Sequence, residues 1–339
     1  MKAAIFQVSL NRGQIDSRDA HLRKVEIGSK MRLVHANTKV LPILAALASV
    51  CACELAFAQQ ATPSPTELVR EAVANEVAAS QSDTKMMFLD RKATPRGSQT
   101  KLIVETKEGN AGMLVAENDH ALTTARQRDE ENRLARLMNS PEDLRKKQRS
   151  EKEDADRIRR IVKALPDAFV YEADGTQKGT AEIGRADAEL VRLKFHPNPK
   201  YDPPSRLEQV LTGLEGTMLI DPQQHRIALM DGSLKKDVNF GWGFLGHLDK
   251  GGHYLVQQAE VVDGNWEIKQ MILRFTGRVL LVKSIEINTD EVASDFHVVP
   301  PALTFAQGVD LLKKHEIEMA GHRDAPAGID GESDASKRF

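Results

Sequence analysis

The residues best suited to chemistry in this sequence are concentrated between Asp237 and Tyr254. This stretch, DVNFGWGFLGHLDKGGHY, is rich in glycine and contains the histidines His247 and His253. Together with His225 they could bind a transition metal, because imidazole nitrogens are common ligands for zinc. No carboxylate or cysteine stands at a diagnostic spacing from them, and histidines in turns are far more often surface residues. We therefore predict no metal ligands among them.

Other catalytic and binding motifs are incomplete. The segment HEIEMAGH begins at His315, but a zincin helix needs a second histidine four residues later, where Met319 stands. The glycine-rich stretch lacks the Gly-Lys-Ser/Thr ending of a phosphate-binding loop, and the sequence contains no Gly-x-Ser-x-Gly nucleophile elbow. We thus predict no catalytic residues and no cofactor.

The aromatic residues of the same stretch favour architecture that also forms a pocket wall. Phe240, Trp242 and Phe244 alternate with glycines, so on a single strand all three rings would point to one face. The glycines between them would let the strand bend or admit a close neighbour. We predict that the rings lie on the concave, helix-covered side of a sheet. The predicted ligand-contacting side chains are all apolar: Phe240, Trp242, Phe244, Met218, Met230, Trp266 and Met271.

An N-terminal segment has the pattern of a secretory signal. The longest apolar run, from Val40 to Ala58, follows basic residues and ends in a small-x-small sequence. This pattern is typical of a cleaved signal peptide over about residues 31–58. We expect residues 1–58 to be a leader whose first thirty residues are a start-site extension. The mature protein is then periplasmic or secreted, with no transmembrane span.

The composition fits a globular protein without disulfides. The chain has 339 residues, of which 41% are hydrophobic, which is enough apolar material for a core. Both cysteines, Cys51 and Cys53, lie in the predicted leader, so the mature chain would contain no thiol. Removing residues 1–58 takes away 8 of the 47 Lys and Arg residues and 4 of the 49 Asp and Glu residues, which leaves a net charge of −6. A nucleic-acid partner is not expected, because no basic excess exists to bind phosphates.

Helix signals dominate the first half of the predicted mature chain. Residues 64–80 form an amphipathic pattern in which Ser64 can cap the helix and Pro65 fits its first turn. Residues 123–165 are dense in charge and predict an insertion of two helices that separate at Ser140. We expect the faces of this insertion that lack large aliphatic residues to meet solvent or another surface.

Strand signals dominate the second half. From residue 167 onward the apolar residues alternate, and the strand-length segments are joined by short turns. Together with a hairpin predicted over residues 99–119, this pattern indicates an α+β fold. We expect a strongly curved antiparallel sheet or incomplete β-barrel of about 10–11 strands, with helices covering its concave side. The predicted domain spans residues 59–317, and a disordered tail follows over residues 318–339.

The order of these elements resembles the periplasmic lipoprotein-carrier superfamily represented by LolA and LolB. The shared features are an exported N-terminal helix, a first hairpin, a helical insertion and a long meander that contains GTMLIDPQQHRIALMDG, residues 216–232. The FGWG element is similar to one in uncharacterised exported bacterial proteins. The superfamily resemblance implies an unclosed β-barrel with helices as a lid, and an apolar concavity that binds lipid or acyl chains.

Three function hypotheses follow. The first is a non-catalytic periplasmic binding protein for a lipid, an acyl chain or another apolar ligand. The second is an envelope scaffolding module that binds another envelope protein through the charged helices at residues 123–165. The third and weakest is a hydrolase with an unrecognised carboxylate site. An enclosed apolar cavity would favour the first hypothesis over the other two.

Overall fold

The computed structural model describes residues 63–240, 246–279 and 283–324. Over these ranges the chain forms an α+β fold around one large antiparallel sheet, as the sequence predicted. The predicted leader, residues 1–58, lies outside the described residues, as do Trp242, Phe244 and the chain from residue 325 onward.

The first three α-helices begin where the sequence predicted them. The described α-helices are α1 (Pro65–Ala79), α2 (Thr124–Asn139), α3 (Pro141–Ala168), α4 (Arg206–Gln209) and α5 (Phe305–Asp324), and a 3-10 helix spans Val210–Gly213. The Ser64 hydroxyl accepts a hydrogen bond from the Glu67 amide, and the Ser140 hydroxyl accepts one from the Asp143 amide, each at 3.2 Å. Each cap satisfies an amide that has no partner inside its helix.

The sheet contains thirteen strands within the described residues. They are β1 (Lys85–Thr94), β2 (Gly97–Val104), β3 (Ala111–Glu117), β4 (His120–Ala121), β5 (Phe169–Lys178), β6 (Glu189–Pro197), β7 (Leu214–Asp221), β8 (Arg226–Leu234), β9 (Val238–Phe240), β10 (Gly246–Leu248), β11 (His253–Val262), β12 (Asn265–Val279) and β13 (Lys283–Val299). Eleven strands follow the order β4-β3-β2-β1-β13-β12-β11-β8-β7-β6-β5, and β9 and β10 form a short hairpin that joins β12. In the part of the chain that is described, the sheet ends at β4 and β5 and is not closed into a barrel.

The strand register sets one continuous row of side chains across seven strands. Residues directly opposite one another in paired strands point to the same face. The row consists of Leu193, Met218, Met230, Val256, Met271, Glu291 and Lys92. We call the face that carries these side chains the row face. Because side chains alternate along a strand, Asp90 of β1 lies on the row face with Lys92, whereas Met87 and Leu89 lie on the opposite face.

Helices cover both faces of the sheet, each at a different end. On the row face, α1 and α3 bury apolar side chains such as Val69 and Leu165 in one cluster with Met218. On the opposite face, α5 and α2 bury Phe305 and Leu134 in a cluster with Met87. The sequence predicted helices on one side only. The second helical layer was not predicted. The alternation of apolar and polar residues is interrupted in β1–β3, so the sequence does not indicate that both faces of these strands are apolar.

The edge of the sheet at β3 is protected by charged side chains of α2. Strand β4 has only two residues, and it pairs with Ala116 and Glu117 of β3. Beyond that pairing, Glu130 of α2 accepts a hydrogen bond from the Leu114 amide at 2.8 Å. Arg133 donates to the Gly112 carbonyl at 2.6 Å and also pairs with Glu130 at 2.6 Å. The two side chains thus bind backbone groups that a neighbouring strand would otherwise pair with.

Replacing Glu130 with alanine is expected to lower the free energy of unfolding by about 1.5 to 3 kcal/mol, because the Leu114 amide and Arg133 both lose a charged acceptor. Burial raises the pKa of Glu130, but the bonds from Arg133 and the Leu114 amide outweigh it and hold the pKa below its ordinary value. The contribution is therefore present at neutral pH and is lost as the pH falls through the folded-state pKa. Urea denaturation at several pH values measures both effects. Glu131→Ala, an exposed change one residue away, should shift stability by less than about 0.5 kcal/mol, and equal losses in the two variants would contradict the edge role.

The charged half of α3 is anchored to the loop between β2 and β3. Gln148 donates to the Glu108 carbonyl at 2.8 Å, and Glu151 accepts from the Asn110 amide at 3.1 Å. Lys147 pairs with Glu151 along the helix. Part of the charge in this insertion therefore serves contacts within the chain.

Helix α5 continues past the predicted end of the domain at residue 317. We expected disorder from residue 318, but the helix continues to Asp324. Met319 packs against the apolar cluster on the opposite face, and this contact favours continuation of the helix past residue 318. The Gly-, Asp- and Ser-rich composition that indicated disorder lies mainly after residue 324.

Candidate functional site

The candidate site is the row face where three of the predicted ligand-contacting residues meet. Met218 pairs with Met230, and Val256 stands between Met230 and Met271 in the register. We call Met218, Met230 and Met271 the methionine row. Met218 and Met271 are buried, at 0% and 3% exposure, and Met230 is partly buried. The structure thus brings these three predicted residues onto one face.

The apolar end of the row lies under α1 and α3. Phe169 and Tyr171 of β5 and Phe195 of β6 form a group of rings, with 4.7 Å between the centroids of Phe169 and Phe195. The Tyr171 hydroxyl donates to the Leu165 carbonyl of α3 at 2.8 Å, which ties the helix to the strand below it. This end of the row is therefore a packed apolar cluster.

Two paired glycines make room for aromatic rings beside the methionine row. Gly216 and Gly232 stand opposite each other on β7 and β8. A Cβ atom at Gly232 would lie 2.8 Å from a ring carbon of Tyr254 and 3.2 Å from one of Phe195. The two rings therefore approach the glycine backbone more closely than a side chain would permit.

The other end of the row is charged. Lys92 forms an ion pair with Glu291, and Asp90 stands opposite Lys101 on the same face. Burial raises the pKa of Asp90 and of Glu291 and lowers the pKa of Lys101, because removal from water disfavours each charged form. We call these four residues the charged cluster. It places the Glu291 carboxylate, which pairs with the Lys92 amine, next to the last methionine of the row, since Met271 is paired directly with Glu291.

A tyrosine ring with a buried hydroxyl packs against the apolar end of the row. Tyr254 stands two residues before Val256 on β11, and its hydroxyl oxygen is buried without a hydrogen-bond partner among the described residues. Burial raises the pKa of this hydroxyl well above its ordinary value, so it remains a neutral donor. Buried tyrosine hydroxyls usually find a partner, and this one can donate to an oxygen atom of a ligand.

The remaining predicted site residues lie elsewhere or outside the described residues. Phe240 ends β9 and pairs with Gly246 of β10, so these two residues lie on neighbouring antiparallel strands, and Trp242 and Phe244 lie outside the described residues. Phe240 itself packs against the apolar cluster under α1 and α3. Trp266 belongs to a separate cluster with Leu190 and Leu219, and the Arg226 guanidinium lies 5.4 Å from its ring centroid. The structure does not join Trp266 to the methionine row.

The three histidines first considered as metal ligands each pair with a different carboxylate. His225 lies 3.1 Å from Glu71, and His253 lies 2.8 Å from Asp231. His247 lies 3.1 Å from Asp249. They form three separate pairs.

Two surface depressions occur on the charged insertion and beside it. One, of about 760 Å³, lies between α2 and the start of α3, with Asp129, Arg136 and Asp143 in its wall. The other, of about 380 Å³, lies beside the loop between β2 and β3. Neither is lined by a predicted ligand-contacting residue. Met218 and Met230 instead belong to the apolar cluster under α1 and α3.

The described structure defines the class of protein as α+β with a large, unclosed antiparallel sheet. No helix among the described residues is both long and apolar enough to cross a membrane. No family model matches the sequence, and no curated protein matches it. Among solved structures, the chain is similar to a DUF1329 family protein from Desulfovibrio piger, with 10% identity and a TM-score of 0.24. That alignment covers 71% of this chain and 96% of the other.

Proposed function

We propose that the protein is a non-catalytic, exported binding protein for a ligand with an apolar chain and a polar head, such as a lipid or a fatty acid. The observation that carries the proposal is the unbroken row from Met218 through Met271 to the charged cluster. Methionine side chains are flexible and polarizable, and they adapt to apolar ligands of different shape. Adjacent strands lie about 4.8 Å apart, so the row from Met218 to Lys92 runs for about 24 Å along the sheet.

The polar head of the ligand would lie towards the charged cluster. A carboxylate or phosphate there would compete with Glu291 for Lys92, and burial strengthens such a contact because the local dielectric is low. The Tyr254 hydroxyl supplies a neutral donor beside the chain. A purely apolar molecule would leave both of these groups unused, so the arrangement favours an amphiphile.

Entry of the ligand requires side chains to move. Met218 and Met271 are buried, whereas Met230 between them is only partly buried. The row therefore opens most readily at Met230, and the ligand chain would displace the methionine side chains on either side of it. Such displacement costs little rotamer energy for methionine compared with a branched side chain.

Native mass spectrometry of protein purified from its own host is expected to show a lipid adduct of defined mass. Met230→Trp fills the point of entry and should reduce binding of an added fluorescent fatty acid by about tenfold or more, which corresponds to about 1.4 kcal/mol. Met138→Trp is the matched control, because Met138 is also partly buried but packs on the opposite face. Repeated absence of an adduct, or equal losses in the two tryptophan variants when both fold, would overturn the proposal.

A further inference from the structure

A second group of polar side chains lies on the opposite face, where α5 approaches β13. It consists of Asp295 and His297 of β13 and His315 of α5. The His297 Nε2 atom lies 2.9 Å from Asp295 Oδ1, and the His315 Nε2 atom lies 3.6 Å from Asp295 Oδ2. The two imidazole rings are 5.6 Å apart and inclined at 62°. One potential ligand atom from each residue lies within 4.8 Å of the other two.

A β-bulge positions the two residues of β13. Met87 pairs with His297 and Leu89 pairs with Ser294, so β13 has one more residue than β1 between these pairs. Asp295 lies in this bulge with a φ of 56°, in the left-handed region that few residues other than glycine adopt. Bulges redirect side chains, and here the bulge directs both Asp295 and His297 towards α5. Backbone conformations of this kind concentrate at functional sites.

The third residue is held in place by the packing of α5. Phe305, Val309 and Leu312 are fully or almost fully buried against the sheet, and His315 follows one turn later. The His315 side chain is 18% exposed, yet its Nε2 atom is buried and forms no hydrogen bond in the described part of the chain. Its Nδ1 atom lies 3.7 Å from a carboxylate oxygen of Glu318. A buried imidazole nitrogen directed at a carboxylate and a second imidazole is suited to a metal.

We propose that Asp295, His297 and His315 bind a divalent transition-metal ion of the zinc type, which would link α5 to β13. Zinc takes imidazole and carboxylate ligands at about 2.0–2.2 Å, so the ligand atoms of a tetrahedral site stand about 3.3 Å apart. The two separations from the Asp295 carboxylate, 2.9 and 3.6 Å, are close to this value. All three ligand atoms lie within 4.8 Å of one another, so binding would draw the two imidazoles closer together. Glu318 would orient the His315 ring through its Nδ1 atom, which does not bind the metal, as carboxylates do for zinc-bound histidines. Three protein ligands leave the fourth position to water or another small ligand.

The site is not visible as a sequence motif. A zincin helix starting at His315 would need a second histidine on the same helix at position 319, where methionine stands. In the structure the partners come from β13, and their position depends on a bulge that the sequence does not specify.

Titration of the full chain with Zn²⁺, produced without a polyhistidine tag and with both cysteines alkylated, tests the site. Calorimetry is expected to show one ion per chain, and His297→Gln and His315→Gln should each weaken binding by about tenfold or more. Asp295→Asn should act in the same direction and should fold, because asparagine also tolerates the left-handed conformation. The matched control is His253→Gln, which removes a histidine paired with a single aspartate and should leave the affinity unchanged.

A thermal measurement gives an independent readout. Zn²⁺ should raise the melting temperature of the unmodified protein and of His253→Gln, because a ligand of the folded state stabilises it. Zn²⁺ should raise the melting temperature of His315→Gln much less. Lack of stoichiometric binding by the unmodified protein, or weakening by His253→Gln equal to that by His315→Gln, would overturn the proposal.

Discussion

Glu76→Ala is expected to lower the free energy of unfolding by about 3 to 5 kcal/mol, the largest loss that we anticipate from a single charged residue. Glu76 lies on α1 and is 1% exposed, and its carboxylate accepts from Arg226 Nε at 2.9 Å and from the Ile227 amide at 3.1 Å. Alanine would leave the Arg226 guanidinium buried next to an unpaired amide. The loss comes mainly from the groups left without a partner. In the intact ion pair, the attraction between the charges is little larger than the cost of removing them from water.

A second carboxylate of the same helix provides the control. Glu71 pairs with His225, next to Arg226 in sequence, but both side chains are more than 40% exposed. Glu71→Ala should therefore cost less than about 1 kcal/mol. The double variant Glu76→Leu/Arg226→Met should recover much of the stability lost in Glu76→Ala, because it buries no charge. Urea denaturation measures all three, and similar losses for Glu71→Ala and Glu76→Ala would show that the burial of the pair has no energetic consequence.

Gly216→Ala is expected to cost more than about 3 kcal/mol or to prevent folding. A Cβ atom at this position would lie 1.9 Å from the Asp231 carbonyl oxygen and 2.6 Å from the Gly232 Cα atom. Both are backbone atoms of the paired strand, so they can move only if the β7–β8 pairing shifts. Since Met218 pairs with Met230 two residues further along, such a shift would also disrupt the methionine row.

Gly112→Ala is the control that distinguishes the backbone clash at Gly216 from the general effect of replacing a glycine in a strand. Its Cβ atom would lie 2.9 Å from the terminal methyl carbon of Ile103, which can rotate away. We expect a cost of less than about 1 kcal/mol, measured by thermal or chemical denaturation. If the two alanine variants were equally stable, the close approach of β7 and β8 at Gly216 would be refuted.

Local signals in the sequence predict the ends of several elements well. Ser64 and Ser140 are followed by proline and acidic residues, and both cap their helices as expected, because a cap depends on contacts within a few residues. Strand β1 was not predicted. Its sequence KMMFLDRKAT places four apolar residues in succession before a polar half, so it lacks the simple alternation of a half-buried strand.

The candidate site was predictable in composition but not in arrangement. The apolar character of Met218, Met230 and Met271 indicated burial, and all three lie on one face. Trp266 lies in a separate cluster with Leu190 and Leu219, a separation that its apolar character alone does not indicate. The charged cluster was not predicted, since Lys92 and Glu291 are far apart in sequence and only the β1–β13 pairing brings them together.

That same pairing constrains the order in which the chain can fold. Strand β1 lies between β2 and β13, and its pairing with β13 joins residues 85 and 299. The β1–β2 hairpin can form early because it is local, but one side of β1 must wait for almost the whole domain to be synthesised. Pairings between such distant segments form slowly, because closing a long loop costs entropy before any stabilising contact has formed. Until then β1 presents an open edge with Met86, Met87 and Phe88 beside it, and a growing chain would need protection from aggregation at this strand more than at any helix.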